Sequence, residues 1–155
     1  MKISIYSFGK TKHKFLLEGE REYLKRMGSE ARINLVELGS CDSASATPQL
    51  IRTQERKALF AKVRENDFLV VLDENGQSYT TVKFAEMLKQ CFDRGISSLT
   101  FAVAGPEGWD AAVTQRADQL LSLSPMTFTS QMARFILIEQ LYRALRIIGG
   151  HPYHR

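Results

Sequence analysis

Along this chain, short runs of β-branched and aromatic residues alternate with stretches whose apolar residues recur every three or four positions. Strands of period two joined through helices of period 3.6 need crossover connections, and these produce a mostly parallel sheet with helices on both faces. The runs "KISIYSF", "RINLVEL", "DFLVVLD", "SLTFAVAG" and "QLLSLS" read as the strands. Between the first two, Phe15, Leu16, Tyr23, Leu24 and Met27 recur at helical spacing as far as Gly28. "TPQLIRTQERKALFAKV" opens with Thr47 as N-cap and Pro48 at the first helical position. "TVKFAEMLKQCFDRG" is a helix closed by Gly95, a short helix runs near Asp110 to Ala117, and a long one runs from about Gln131 to Ile148. The expected fold class is therefore α/β, in one domain spanning residues 1–155. At 44% hydrophobic residues a chain of this length can bury roughly two thirds of its unfolded surface. No internal repeat occurs, and "GSCDSASATP" is a connection rather than a domain linker.

Several classes of function drop out. No apolar run approaches the roughly 18 residues of a membrane span and no signal segment opens the chain, so a cytoplasmic protein without a membrane partner is expected. Cys41 and Cys91 lack metal-ligand spacing and read as reduced thiols, with neither disulfide nor zinc. The net charge of +4 is unevenly spread. Met1 to Lys14 carries Lys2, Lys10, Lys12 and Lys14 with no acid, and Gln131 to Arg155 sets Arg134, Arg143, Arg146 and Arg155 against Glu139 alone. Basic ends around an acidic middle suit an anion-facing surface, with nucleic acid as the leading partner; a merely solvated face fits the same charges.

In an open α/β sheet, ligands bind beyond the carboxyl ends of the strands, which directs attention to the loops "LDENG", "AGPEGW" and "SLSPMTFTS". Gly105 and Gly108 allow close backbone approach, as they also would in a plain tight turn. The third loop mixes Ser and Thr with Met126 and Phe128, offering backbone hydrogen bonds and apolar walls to a flat heterocycle, and Thr129 or Ser130 can cap the helix that follows. The Gly-Lys-Thr of "FGKTKHKF" lacks the earlier glycine of a phosphate-cradling loop, and no Gly-x-Gly-x-x-Gly follows the first strand. Neither a metal-ligand set nor a nucleophile elbow is present in the sequence.

The last helix is apolar on two sides. Leu137, Ile138, Leu141, Leu145 and Ile148 form one face, and Met132, Ile136 and Ile147 lie opposite beside Glu139, Arg143 and Arg146. One side packs on its own sheet; the other fits the same helix of a second copy, as in a symmetric dimer, with a core helix in a monomer as the alternative. The Glu139 to Arg143 pair is weak, so Arg143 and Arg146 are candidates for holding an anion. Gly149 is expected to end the helix at positive φ and Pro152 to prevent its resumption. That aims the closing "PYHR": Tyr153 can stack on a base, His154 can move a proton near neutral pH, and Arg155 can hold phosphate.

The stretch "LSLSPMTFTSQMARFILIEQLYRALRIIGGHPYHR", with "FAVAGPEGW" and "VVLDENG" upstream, closely resembles the ribosomal large-subunit methyltransferase H family of the SPOUT superfamily, nearly over the whole chain. The resemblance implies a homodimer with a deep C-terminal trefoil knot in each chain and S-adenosylmethionine as methyl donor, with no metal. Its implied substrate is a pseudouridine of 23S ribosomal RNA, methylated at N3 on the assembled ribosome. The family's cofactor loops correspond to Leu72 and Asp73, to Gly105, and to Ser124, Pro125, Met126, Thr127, Phe128 and Thr129. Two positions depart from the family pattern: Ala104 replaces the first of two glycines, and Ser130 replaces a common histidine. The second leaves His154 as the ionisable group, so that His154 or ordered water accepts the imide proton, with Arg143 or Arg155 to stabilise the developing charge and Tyr153 beside them. A superfamily member acting on transfer RNA, or a non-catalytic RNA-binding adaptor, are the alternatives.

Overall fold

A computed structural model describes residues 2–28, 30–40 and 45–151. Five strands and five helices alternate: β1 (Lys2–Phe8), α1 (Lys14–Met27), β2 (Arg32–Leu38), α2 (Pro48–Phe60), β3 (Phe68–Ser78), α3 (Thr81–Asp93), β4 (Ser98–Val103), α4 (Ala111–Arg116), β5 (Gln119–Ser122) and α5 (Ser130–Ile148). The strands form one sheet in the order β2-β1-β4-β3-β5, parallel throughout. Side chains alternate across it as the strand period requires. Ile3, Ile5, Val70, Leu72, Leu99, Phe101 and Val103 face a core completed by α1, α3 and α5, whereas Leu69, Val71 and Ala102 face a smaller core under α2 and α4. Helices thus cover both faces, and the expected α/β class is what forms.

The helix starts follow local chemistry. Thr47, Thr80, Asp110 and Thr129 each accept a backbone N–H from the first turn of α2, α3, α4 and α5, and Pro48 opens α2. Helix α5 packs against both α1 and α3. Its approach to α1 requires Gly19, where an added Cβ would lie 2.5 Å from the Phe135 ring.

Four expectations need correcting. Strand β3 runs on through "LDENG" to Ser78 instead of ending in a loop there. Its pairing with β5 shifts register between Leu72 and Gln77, so the intervening residues bulge while the strand continues. Gly149 has φ −73° and is still bonded to Leu145; the left-handed residue is Gly150, at φ 72°. Gly150 N–H donates to the Ile147 carbonyl and His151 N–H to that of Arg146, the double bond of a Schellman ending displaced by one residue. Phe15 is 64% exposed, because the buried stripe of α1 passes through Leu16, Glu20 and Met27. Arg134 and Arg146 do not face solvent as free cations, as described below.

Candidate functional site

Beyond the carboxyl ends of β3, β4 and β5 lies a cavity of about 720 Å³, within the range of small-molecule sites. Three segments wall it, each fixed by its own contacts, some within a turn and some with distant residues.

The first wall is the bulge of β3. The Asp73 side chain accepts the Asn75 N–H at 2.8 Å, an Asx turn that lifts the chain out of the ladder. Gly76 brings it back, since a Cβ there would sit 2.7 Å from the β5 backbone at Leu120 and Leu121. The second wall, residues 104–108, is gripped from beneath by one face of α2. Arg52 donates to the Glu107 carbonyl at 3.4 Å, Arg56 to both Asp110 oxygens at 3.2 Å, and Glu55 accepts the Gly105 N–H at 3.2 Å. Trp109 ties this wall to the first through a 2.8 Å hydrogen bond to the Leu72 carbonyl.

Glu55 is 1% exposed, and its Oε1 has no hydrogen-bond partner among the described residues. Burial pushes its carboxyl above the usual range; the Gly105 N–H opposes this, and Glu107 adds to the rise. A Cβ at Gly105 would meet Glu55 Oε1 at 2.1 Å, so residue 105 is glycine because a carboxyl fills the side-chain space.

The third wall turns from β5 into α5. Ser122 donates to the Ser124 carbonyl at 3.1 Å, the Ser124 hydroxyl accepts the Met126 N–H at 3.0 Å, and Thr129 caps the helix through the Met132 N–H at 3.3 Å. Of the two cap candidates the structure selects Thr129. Met126 and Phe128 remain exposed at the rim, and Thr127 reaches Glu74 of the first wall at 3.5 Å.

Eight of the nine candidate cofactor residues, Leu72, Asp73, Gly105, Ser124, Met126, Thr127, Phe128 and Thr129, line this one cavity; Pro125 is exposed in the same turn and does not line it. Leu72, Val103, Leu121 and Leu123 supply an apolar floor. Among the described residues the lining contains Asp73, Glu74 and Glu107 but no Lys, Arg or His. Such a cavity accepts a flat ring with polar edges and favours positive charge over phosphate. No group of His, Cys, Asp and Glu able to hold a metal occurs among the described residues.

Of the proposed reaction-side residues only Arg143 falls among the described residues, and it does not line the cavity. Tyr153, His154 and Arg155 lie outside the described residues. Arg143 stands on α5 about 20 Å along the helix from Ser130, at 1.5 Å per residue, with its Nε donating to Glu139. Arg146, expected to be available for an anion, is paired with Glu30 at 2.6 Å. Arg134 is also withdrawn from the expected basic surface: it is 3% exposed, bonded to both Glu20 oxygens at 2.8 Å, to Glu37 at 2.9 Å and to Ser7 at 3.0 Å, and it donates to Thr11.

Sequence reasoning missed Glu55 and the inward direction of Arg134, although a signal was present. Arg134 precedes Leu137, Ile138 and Leu141 by three, four and seven residues, and Glu55 precedes Leu59 by four, so each charge lies on a buried stripe.

A family model described as "Predicted SPOUT methyltransferase" matches residues 1–154. The chain is 37% identical to the ribosomal RNA large subunit methyltransferase H of Clostridium botulinum (strain Kyoto / Type A2), with all of both chains covered. It is 39% identical to the protein of the same name from Pelotomaculum thermopropionicum, over 98% of each. Against that from Enterococcus faecalis it is 33% identical over the full length of both.

Proposed function

Since this chain belongs to the SPOUT methyltransferase family, we propose that it transfers a methyl group from S-adenosylmethionine to N3 of a pseudouridine in 23S ribosomal RNA, on the assembled ribosome. That it is a methyltransferase follows from the family. The choice of ribosomal RNA is supported by full-length relatives named as ribosomal RNA large subunit methyltransferases.

The observation that carries the donor is the lining of the cavity: an apolar floor with acidic groups and, among the described residues, no cation. The residues present fit a sulfonium nucleoside better than any phosphorylated nucleotide. The donor supplies an electrophilic methyl carbon. Leu72, Val103 and the third wall would hold its adenine, Asp73 and Glu107 would face its charge and hydroxyls, and Gly105 would allow close backbone approach. In-line transfer depends chiefly on positioning, which the bonds from the first wall to the second and to the third would serve.

The acceptor side falls to Arg143, Tyr153, His154 and Arg155. In this reading Tyr153 stacks on the target base, His154 takes the N3 proton, and Arg143 or Arg155 stabilises negative charge on the flanking carbonyl oxygens. The distance of Arg143 from the cavity of its own chain supports supply from a second copy, as do the half-buried Met132 and Ile136 on α5; Ile147, expected on the same side, instead packs against the chain's own core. A homodimer, one domain over residues 1–155 and the family's C-terminal knot belong to the same proposal. So does work in the cytoplasm; no helix among the described residues is long and apolar enough to cross a membrane.

The test is methyl transfer from labelled S-adenosylmethionine to ribosomes purified from cells lacking this protein, with separate subunits and naked RNA in parallel. Label on a large-subunit pseudouridine, strongest on whole ribosomes, is expected. Donor binding without ribosomal label would overturn the substrate and turn attention to transfer RNA.

A further inference from the structure

Of the arginines expected to make residues 131–155 basic, the three among the described residues, Arg134, Arg143 and Arg146, each pair with a carboxylate. The β1–α1 connection differs. Lys10, Lys12, His13 and Lys14 are all exposed there, and none of them forms an ion pair among the described residues. Phe15, 64% exposed, stands beside them with its ring 5.6 Å from that of His13.

This connection is held as a built feature. Thr11, at its centre, is buried; its N–H donates to Glu37 at 3.3 Å and its hydroxyl accepts from Arg134. The neighbouring Lys12 N–H donates to the Gln131 side chain at 3.1 Å. Gln131 follows Ser130, which lines the cavity, so the lysines are fastened directly beside its α5 rim. With Thr11 turned inward, Lys10 and Lys12 project outward on either side of it. The buried cation Arg134 therefore organises a second group of cations that it does not itself belong to.

From this arrangement we infer that residues 10–15 form the docking strip for the RNA phosphodiester backbone flanking the target nucleotide, with Lys10, Lys12 and Lys14 on phosphates and Phe15 available to an unstacked base. The acid-lined cavity repels phosphate, and the adjacent lysine strip attracts it, which gives the RNA a register: backbone over the connection, base over the cavity. The inference rests on the proposed RNA substrate and adds where that RNA is held.

The experiment compares the full chain with Lys10→Gln/Lys12→Gln/Lys14→Gln and with a control of equal charge loss elsewhere, Lys62→Gln/Lys83→Gln/Lys89→Gln. Affinity for unmodified ribosomes is measured by co-sedimentation across a salt series, and affinity for S-adenosylhomocysteine by calorimetry. The expected result is an affinity for ribosomes lower on the order of tenfold in the first variant alone. Its salt slope should be shallower by roughly two units, given about 0.7 per phosphate contact on single strands. Cofactor-product affinity should stay within twofold. Equal affinity and slope in the chain and the first variant, equal losses in both variants, or no ribosome binding by the unaltered chain would each overturn the inference. Ribosome binding without methyl transfer would sink the proposed reaction but not the docking strip, because the strip's test reads affinity alone.

Discussion

At the scale of single residues, Glu55 and Gly105 form a unit that neither makes sense without. Alanine at 105 would meet all three carboxyl atoms of Glu55 within 3 Å, at 2.1, 2.8 and 2.9 Å. The carboxyl must then swing away and leave the Gly105 N–H unpaired, a loss of about 1–3 kcal/mol. Gly105→Ala is therefore expected to lower unfolding free energy by about that amount in urea titrations, and to do so far less in a Glu55→Ala background. Additive effects would show that the two do not interact. The pH dependence has a definite sign. The folded state raises the Glu55 pKa above its unfolded value, so this group's contribution is fully present below the unfolded pKa and is lost as pH rises through the folded one. Glu55→Gln cannot ionise, so its melting temperature relative to the unaltered chain should climb from acid to neutral pH. A gap constant with pH would mean that folding does not raise the pKa of this carboxyl.

At the scale of elements, α5 joins the cavity to a buried ion-pair cluster, with Thr129 at its start in the cavity and Arg134 farther along in the core. The Arg134–Glu20 pair is 4% exposed on both sides. Removing one partner strands a buried charge, so Arg134→Met is expected to destabilise by about 3–5 kcal/mol, whereas Arg134→Met with Glu20→Leu should recover much of that loss. Denaturant unfolding measures both, and a double variant no better than the single would refute a pair-based account. Much of the architecture was legible at this scale, because strand alternation and the caps at Thr47 and Thr129 are properties of neighbouring residues. What escaped depends on distant partners. "LDENG" is polar and glycine-bearing, and only β5 re-pairing at Gln77 and Ser78 keeps it in a strand. Arg134 was counted as surface charge because a sequence tallies charges without showing Glu20, 114 positions away. The three cavity loops were legible from the rule that parallel sheets bind at their carboxyl ends; the α2 face that grips one of them was not.

At the scale of the whole molecule, the proposed homodimer can be tested by asking whether residues 153–155 of one copy serve the cavity of the other. If Tyr153, His154 and Arg155 act on the cavity of a second copy, a chain lacking residues 153–155 keeps a sound cavity but cannot complete its partner's. The Ala104→Leu variant does the reverse: it fills its own cavity wall and keeps a sound tail. Each should bind or fail to bind S-adenosylhomocysteine accordingly, and each alone should be inactive on ribosomes. Mixed and allowed to exchange, they give heterodimers in which one site of two combines an intact cavity with an intact tail. Random pairing makes half the dimers mixed, so activity should return to roughly a quarter of that of the unaltered protein. A tail acting on its own chain would leave the mixture inactive, since no single chain would then carry both working parts. Full activity in the truncated chain alone would remove the tail from the reaction altogether and leave proton transfer to water.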